Sequence, residues 1–185
     1  MSENNQEKAL DWGDDLNGGE SLFKVLPEGK AIWRIKGFTK ETHIPKEGAK
    51  LTCKCPKLNI ALECISLVDG AKTTITHTLF WYSASWALDN VKKFFQAVGQ
   101  VPENAEAMNG FKPNFFNLEG QTGVCVLNVE GWKGQDGTKF ENNKIKKFMM
   151  PSKVTQEEQT KINEYFGGIS GDDEMPPLDP NDPPF

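Results

Sequence analysis

The sequence predicts a mainly β domain of five strands, with one helix between the third and fourth strands and a short helix near the C-terminus. Three observations support this prediction. Apolar residues alternate with other residues over residues 31–38 and 58–64, which is typical of strands with one buried face. Turn sequences that contain Gly join the predicted strands into hairpins. The apolar residues change to helical spacing over residues 85–98.

The first predicted strand, over residues 31–38, follows the sequence Pro27-Glu28-Gly29. Strict alternation divides its side chains between two faces. Ala31, Trp33 and Ile35 share one face, and the opposite face carries Ile32, Arg34, Lys36 and Phe38. We therefore expect one dry face and one basic face with apolar residues between the charges.

The remaining strands are predicted as two hairpins. The second strand alternates from residue 58 and continues to Val68, where Asp69-Gly70 supplies turn residues for a third strand over residues 73–82. The fourth strand is predicted over residues 124–129 and the fifth over residues 139–149. The sequence Gly134-Gln135-Asp136-Gly137 forms the turn between them.

Two helices are predicted from spacing and end signals. Ser85 is the expected N-cap of the first, Gly99 and Pro102 end it, and its apolar residues recur at three and four positions. These residues are Ala87, Leu88, Val91, Phe94, Phe95 and Val98. Thr155 and Glu158 have the spacing of a capping box, which predicts a short polar helix ending at Phe166.

The order strand, strand, strand, helix, strand, strand is that of the OB-fold, a five-stranded Greek-key barrel whose sheet face and loops bind oligonucleotides. We therefore predict an OB-like Greek-key barrel over residues 21–153 and a short helix over residues 154–166. Residues 1–20 are expected to be a flexible acidic arm. Residues 167–185, rich in Pro, Gly and acids, are expected to be a disordered acidic tail that binds partners.

Charge is distributed unevenly along the chain. The formal net charge is -5, but residues 21–163 hold 20 basic and 14 acidic side chains, so a basic body lies between two acidic ends. Residues 24–57 and 133–147 are the basic segments, and we expect the first and last strands to pair and so to bring them into one groove. Such a groove attracts phosphates, and exposed rings in it stack bases for ~1–3 kcal/mol each.

The candidate DNA-binding residues come from these two segments. They are Arg34, Lys36, Phe38, Lys40, Lys46, Lys50, Lys54, Lys57, Trp132, Lys133, Lys139, Phe140, Lys144 and Lys146. Phe38 is the leading stacking candidate, and Trp132 and Phe140 follow. Core packing is the alternative for every ring, and it is the expectation for Trp33, Trp81 and Trp86.

The C-terminus resembles the tails of bacterial and phage single-stranded DNA-binding proteins, in which acids precede a Pro-Phe pair. The residues that carry the likeness are Asp172, Asp173, Asp182, Pro183, Pro184 and Phe185. The body, over about residues 22–150, is similar to phage-encoded proteins of this kind with the OB-fold. It shares with them Leu26-Pro27-Glu28-Gly29, a basic loop, the long second strand, the helix and the last strand after a Gly-containing turn.

The resemblance implies sequence-tolerant binding of single-stranded DNA in phage replication or recombination, without catalysis, in the cytoplasm of an infected bacterial host. It implies that the tail recruits replication or recombination proteins. Two alternatives stay open: a phage adaptor or inhibitor that mimics the host protein's tail, and an OB domain that binds single-stranded RNA. A tail that only keeps the protein in solution is the plainer interpretation of the same residues. The sequence leaves a homo-oligomer open.

Other chemistry has weak support. Cys53 and Cys55 are one residue apart, which is too close for a usual structural zinc site, and His43, Cys64 and His77 complete no known spacing. No phosphate-binding loop or catalytic dyad is evident, so we predict neither an enzyme, nor a metal, nor another cofactor. No apolar run reaches the ~18–20 residues of a membrane span, so no membrane partner is predicted.

Deleting residues 172–185 is expected to strengthen single-stranded DNA binding at low salt, because the tethered acids compete with DNA for the basic groove. The gain should fade as salt shortens the Debye length, which is ~10 Å at 0.1 M. Removing Phe185 alone should abolish capture of replication proteins and leave DNA affinity unchanged. Fluorescence anisotropy and pull-down measure the two effects, and undiminished capture without Phe185 would leave the tail a solubilising segment.

Overall fold

Five antiparallel strands and two helices make up the computed structural model, which describes residues 24–48, 51–106, 108, 110–134 and 137–167. The strands are β1 (Gly29–His43), β2 (Cys55–Ser66), β3 (Lys72–Phe80), β4 (Thr122–Lys133) and β5 (Lys139–Phe148). Helix α1 (Ser85–Ala97) follows β3, and α2 (Gln156–Phe166) follows β5. The predicted mainly β class and element order are confirmed. Neither helix of the described chain has the length and apolar character that a membrane span requires.

The strands form one sheet in the order β3-β2-β1-β4-β5. The expectation that the first and last strands pair was wrong, because β4 lies between β1 and β5. The tight connection from β4 to β5 keeps these two strands together as a hairpin, and the start of β4 takes the place beside residues 29–34 of β1. Among the described residues no ladder joins β3 to β5, so the sheet is open between them. No closed barrel is present in this part of the chain.

The main core lies on one side of the sheet, beneath helix α1. Trp33 is fully buried at its centre and meets Phe148 edge to face at 5.8 Å. Its indole covers Gly123, the residue directly opposite on β4. A Cβ added to Gly123 would lie 2.5 Å from Cζ2 of Trp33, so the ring occupies space that only glycine leaves open.

A β-bulge in β1 changes which side chains face this core. The register against β2 shifts between Ile35 and Gly37, so that Ile35 lies opposite Leu62 but Phe38 lies opposite Ile60. Ile60 is fully buried, and residues opposite each other share a face of the sheet. Phe38 therefore lies on the core side, and its predicted place on one face with Arg34 was wrong because strict alternation does not pass through a bulge.

Helix α2 covers part of the opposite face. Ile32, Ile65 and Val124 from three neighbouring strands form a second buried cluster with Ile162 and Phe166 of α2. The helix begins with the predicted capping box, in which the backbone N–H of Glu158 donates to Oγ1 of Thr155 and that of Thr155 donates to Oε2 of Glu158. Helix α2 thus covers the part of the predicted basic face that carries Ile32 and Arg34.

Helix α1 has the predicted buried stripe but different ends and edges. Ala87, Val91, Phe94 and Phe95 are buried, as are Gln96 and Ala97. Ser85 is not the N-cap: Ala84 holds that position and makes no side-chain capping bond, while Ser85 is the first helical residue.

Two apolar residues of α1 face outward. Leu88, which the spacing placed in the stripe, is 45% exposed. Trp86 is 49% exposed, so its expected core position was wrong, whereas Trp33 is core as predicted and Trp81 is half-buried against the core.

Gly123→Ala is expected to lower the free energy of unfolding by about 1–3 kcal/mol, because the new methyl group must displace the Trp33 indole. The matched control is Gly131→Ala in the exposed part of the same strand, where the nearest atom to the added Cβ is 3.6 Å away. Urea denaturation of both variants measures the difference. Equal stability of the two would contradict this packing.

Candidate nucleic-acid interface

Two exposed rings stack on each other near the tip of the β4–β5 hairpin. Trp132 and Phe140 lie directly opposite in the ladder, with centroids 5.6 Å apart and planes at 21°. They are 49% and 44% exposed, so this ring pair is a surface feature and not part of the core. Cross-strand pairing holds the two rings in a fixed orientation, which leaves a preformed aromatic surface open to solvent.

Four predicted lysines lie in the same hairpin as the ring pair. Lys133 and Lys139 are opposite each other beside the rings, and Lys144 and Lys146 follow along β5. All four are exposed, and none has a carboxylate of the described chain within 4.0 Å. Their charges are therefore free to attract an anion such as a phosphate.

A groove of about 490 Å³ lies where the sheet is open between β3 and the hairpin. We call it the seam groove; it is lined by Thr76, Thr78 and Phe80 of β3, Asn128 and Glu130 of β4, and Lys144 and Lys146 of β5, among others. The groove thus combines hydroxyl and amide groups, the Glu130 carboxylate, a ring, and two lysines that have no carboxylate partner in the described chain. On β4 it ends two residues before Trp132, and alternation puts Glu130 and Trp132 on the same face.

His77 closes the seam groove from beneath. Its ring lies 5.0 Å from that of Phe148 and 6.2 Å from that of Phe94, and it joins the opposing edges of the sheet by packing. Burial, and secondarily the charge of Lys144, lower the pKa of His77 from 6.5 to about 4. The imidazole is neutral at pH 7 and adds no charge to the groove.

Two of the predicted cations are already paired within the protein. Arg34 donates to Glu63 at 2.7 Å, and its guanidinium lies 5.0 Å from the ring centroid of Phe166. Lys57 lies 2.8 Å from Glu41, and this contact lowers the pKa of the Glu41 carboxyl. These pairs tie the predicted basic face to its own carboxylates and to α2.

The leading stacking candidate packs against the core. Phe38 is half-buried, and its ring lies 5.7 Å from that of Phe115 in the connection between α1 and β4. Lys40 lies 3.8 Å above the Phe115 ring in a cation–π contact. Lys36 is exposed at the bulge, Lys46 and Lys54 are exposed between β1 and β2, and Lys50 lies outside the described residues. None of the described candidate residues from segment 24–57 lines the seam groove, so they do not join Lys144 and Lys146 there as expected.

A second set of ring contacts was not predicted from the sequence. His43 and Phe80 lie 5.3 Å apart, Phe80 and Trp86 6.2 Å, and Trp86 and Tyr82 6.4 Å. We call these four residues the aromatic ladder; its second member, Phe80, also lines the seam groove.

A signal for the exposed position of Trp86 was present in the helix. Trp86 shares its face with Asp89, Asn90 and Lys93, at three, four and seven residues distance, and such polar neighbours mark a solvent-facing side. The exposure of Trp86 could have been predicted from this spacing.

The cysteines lie mostly in the core. Cys64 and Cys125 are fully buried, and a hydrogen bond with Cys64 together with burial raises the pKa of the Cys125 thiol. Cys55 is buried opposite His43. Burial is the main cause that raises the pKa of its thiol, and the nearby Cys53 is the second. In the described part of the chain no three His, Cys, Asp or Glu side chains gather as metal ligands would. The absence of a metal or other cofactor stays a prediction.

The tail residues Asp172, Asp173, Asp182, Pro183, Pro184 and Phe185 lie outside the described residues, as does the arm over residues 1–20. No protein-family model and no curated protein sequence matches the chain. The resemblance to phage single-stranded DNA-binding proteins therefore stays a prediction.

His77 is expected to make stability depend on pH. Its pKa is lower in the folded than in the unfolded chain, so its contribution is complete above pH 6.5 and is lost as pH falls towards 4. The loss amounts to roughly 3 kcal/mol for a shift of this size. Urea denaturation between pH 7 and 4 should show that the free energy of unfolding falls as pH falls in the parent protein, and that it falls less steeply in His77→Leu. Identical slopes would show that His77 is not buried at the seam.

Proposed function

We propose that the protein binds single-stranded DNA without sequence preference, as a phage-type protein of replication or recombination acting in the host cytoplasm. The observation that carries this proposal is the exposed ring pair Trp132 and Phe140 in a hairpin with four lysines that have no carboxylate partner in the described chain. Exposed aromatic surfaces beside a positively charged groove are what sequence-tolerant single-strand binding requires. Duplex DNA, whose bases are already stacked and paired, cannot use the rings in this way.

The lysines and the rings contribute to binding in different ways. Lys133, Lys139, Lys144 and Lys146 neutralise phosphates, and the ring pair stacks bases. Every base has a π-face, so stacking tolerates any sequence. Thr76 and Asn128 offer short polar contacts along the seam groove, whereas the Thr78 hydroxyl already donates to Oδ1 of Asn59. If the four lysines each neutralise one phosphate, log K falls against log salt with a slope of roughly -3.

The strand arrangement supports an OB-like assignment as part of this proposal. The antiparallel pairings make β3 and β5 both run parallel to β1, and they face each other across the seam groove. The OB-fold is a partly open five-stranded barrel that binds oligonucleotides on its strand 2–3 face and on the loops after strands 1 and 4. The β4–β5 hairpin and the outward Thr76 and Thr78 correspond to these positions.

We further propose that the C-terminal tail recruits replication or recombination proteins. Its support is the sequence alone, in which acids precede a terminal Pro-Phe pair. A terminal ring with its carboxylate suits a small apolar pocket with a basic rim.

Trp132→Ala and Phe140→Ala are each expected to weaken oligo-dT binding by ~1–3 kcal/mol, with little change in thermal stability since both rings are largely exposed. The double variant should lose less than the sum, because the two rings form a single stacked surface. Fluorescence anisotropy with labelled oligo-dT measures all three. Phe116→Ala is the matched control, since this ring is 94% exposed and belongs to the connection between α1 and β4 and not to the hairpin.

Unchanged affinity in both ring variants would remove the hairpin from the site, and binding indifferent to salt would contradict the role of the lysines. Duplex DNA and oligo-U in parallel titrations test the alternatives. Preference for oligo-U would favour an RNA-binding domain, and the absence of any nucleic-acid binding would favour the adaptor.

A further inference from the structure

A second groove, of about 930 Å³, lies along the outward side of α1 and is much more apolar than the seam groove. We call it the α1 groove. Trp81, Tyr82 and Trp86 line one part of it, and Met108 and Phe111 from the connection to β4 line the other. The proposed DNA-binding residues of the hairpin do not reach it. The α1 groove is therefore separate from the site that the hairpin forms.

The aromatic ladder connects the two grooves. Phe80 lines the seam groove, and its ring lies 6.2 Å from that of Trp86, which lines the α1 groove. Tyr82 continues the series at 6.4 Å from Trp86. A strand that leaves the seam groove at Phe80 would therefore meet one ring after another and would arrive in the α1 groove without crossing a bare polar surface.

The charges around the α1 groove suit a base better than a phosphate. Its rim carries both signs, with Asp89 and Glu106 beside Lys92. Nζ of Lys92 lies 3.3 Å from the backbone oxygen of Glu106 and 4.0 Å from Asp89, and Lys93 pairs with Asp89 at 2.5 Å. No surplus positive charge remains there, whereas Trp86 presents an indole that is half exposed. Stacking is the interaction that this groove offers.

We infer that the bound single strand continues from the seam groove across Phe80 and Trp86, and that the α1 groove holds one of its unpaired bases. This inference rests on the proposed function and extends it, because it assigns a second stacking site and a longer stretch of strand to each protein molecule. Contact with the α1 groove adds affinity without adding phosphate neutralisation.

The test compares oligo-dT of about 5 and about 15 nucleotides, which bracket the ~4–16 nucleotides that one OB-fold covers. Trp86→Ala is expected to weaken binding of the longer strand by roughly 5- to 150-fold and to leave the shorter strand unaffected. The slope of log K against log salt should stay unchanged. Trp86→Phe, which keeps a ring, should retain most of the affinity. Phe116→Ala again serves as the exposed-ring control.

The outcomes separate this inference from the proposed function. Trp132→Ala should weaken both lengths, so loss of affinity there with no effect of Trp86→Ala would overturn the inference alone. An equal effect of Trp86→Ala on both lengths would also overturn it, because Trp86 would then belong to the first site. Unchanged DNA binding with a change from dimer to monomer in sedimentation would assign the α1 groove to a second copy. Failure of the parent protein to bind either strand would overturn both.

Discussion

Strand β1 belongs to both halves of the sheet, and the bulge between Ile35 and Gly37 is the constraint on which the arrangement depends. Before the bulge, β1 pairs with β4 as well as β2 and buries Trp33 against Gly123. After it, β1 pairs with β2 alone, and Phe38 faces the core side. The bulge thus removes one aromatic ring from the predicted basic face. It leaves the ring pair of the hairpin as the exposed stacking surface beside unpaired lysines.

Local signals predicted the elements well. Alternation, the Asp69-Gly70 turn and the capping box of α2 depend on neighbouring residues, and all three occur in the structure. Gly70 has a φ of +71°, the conformation for which glycine is preferred in such a turn. The site was harder to predict because it depends on distant contacts. Neither the bulge in β1 nor the contact of Phe166 with Arg34 has a local sequence signal. The exposure of Trp86 does have one, in the polar residues that share its face of α1.

The two basic segments that the sequence places in one groove differ in what their side chains contact. Arg34 and Lys57 bind their own carboxylates and stabilise the sheet, so they have little charge to offer a ligand. The lysines of the β4–β5 hairpin have no such partner in the described chain and lie beside exposed rings. In the first segment Lys30, Arg34 and Lys57 are paired with carboxylates, so a count of bases along the chain overestimates the charge that this segment can offer a ligand. Charge becomes informative for binding only after internal ion pairs are subtracted.

Photocrosslinking would show directly whether the β4–β5 hairpin and the seam groove bind the strand. An oligo-dT strand that carries 5-iododeoxyuridine, a photoreactive base, would be bound, irradiated and mapped by mass spectrometry of the crosslinked peptides. We expect crosslinks at Trp132 or Phe140 that are lost when an unlabelled single strand competes and are kept when a duplex competes. Crosslinks confined to the surface around Phe38 and Lys40 would contradict it.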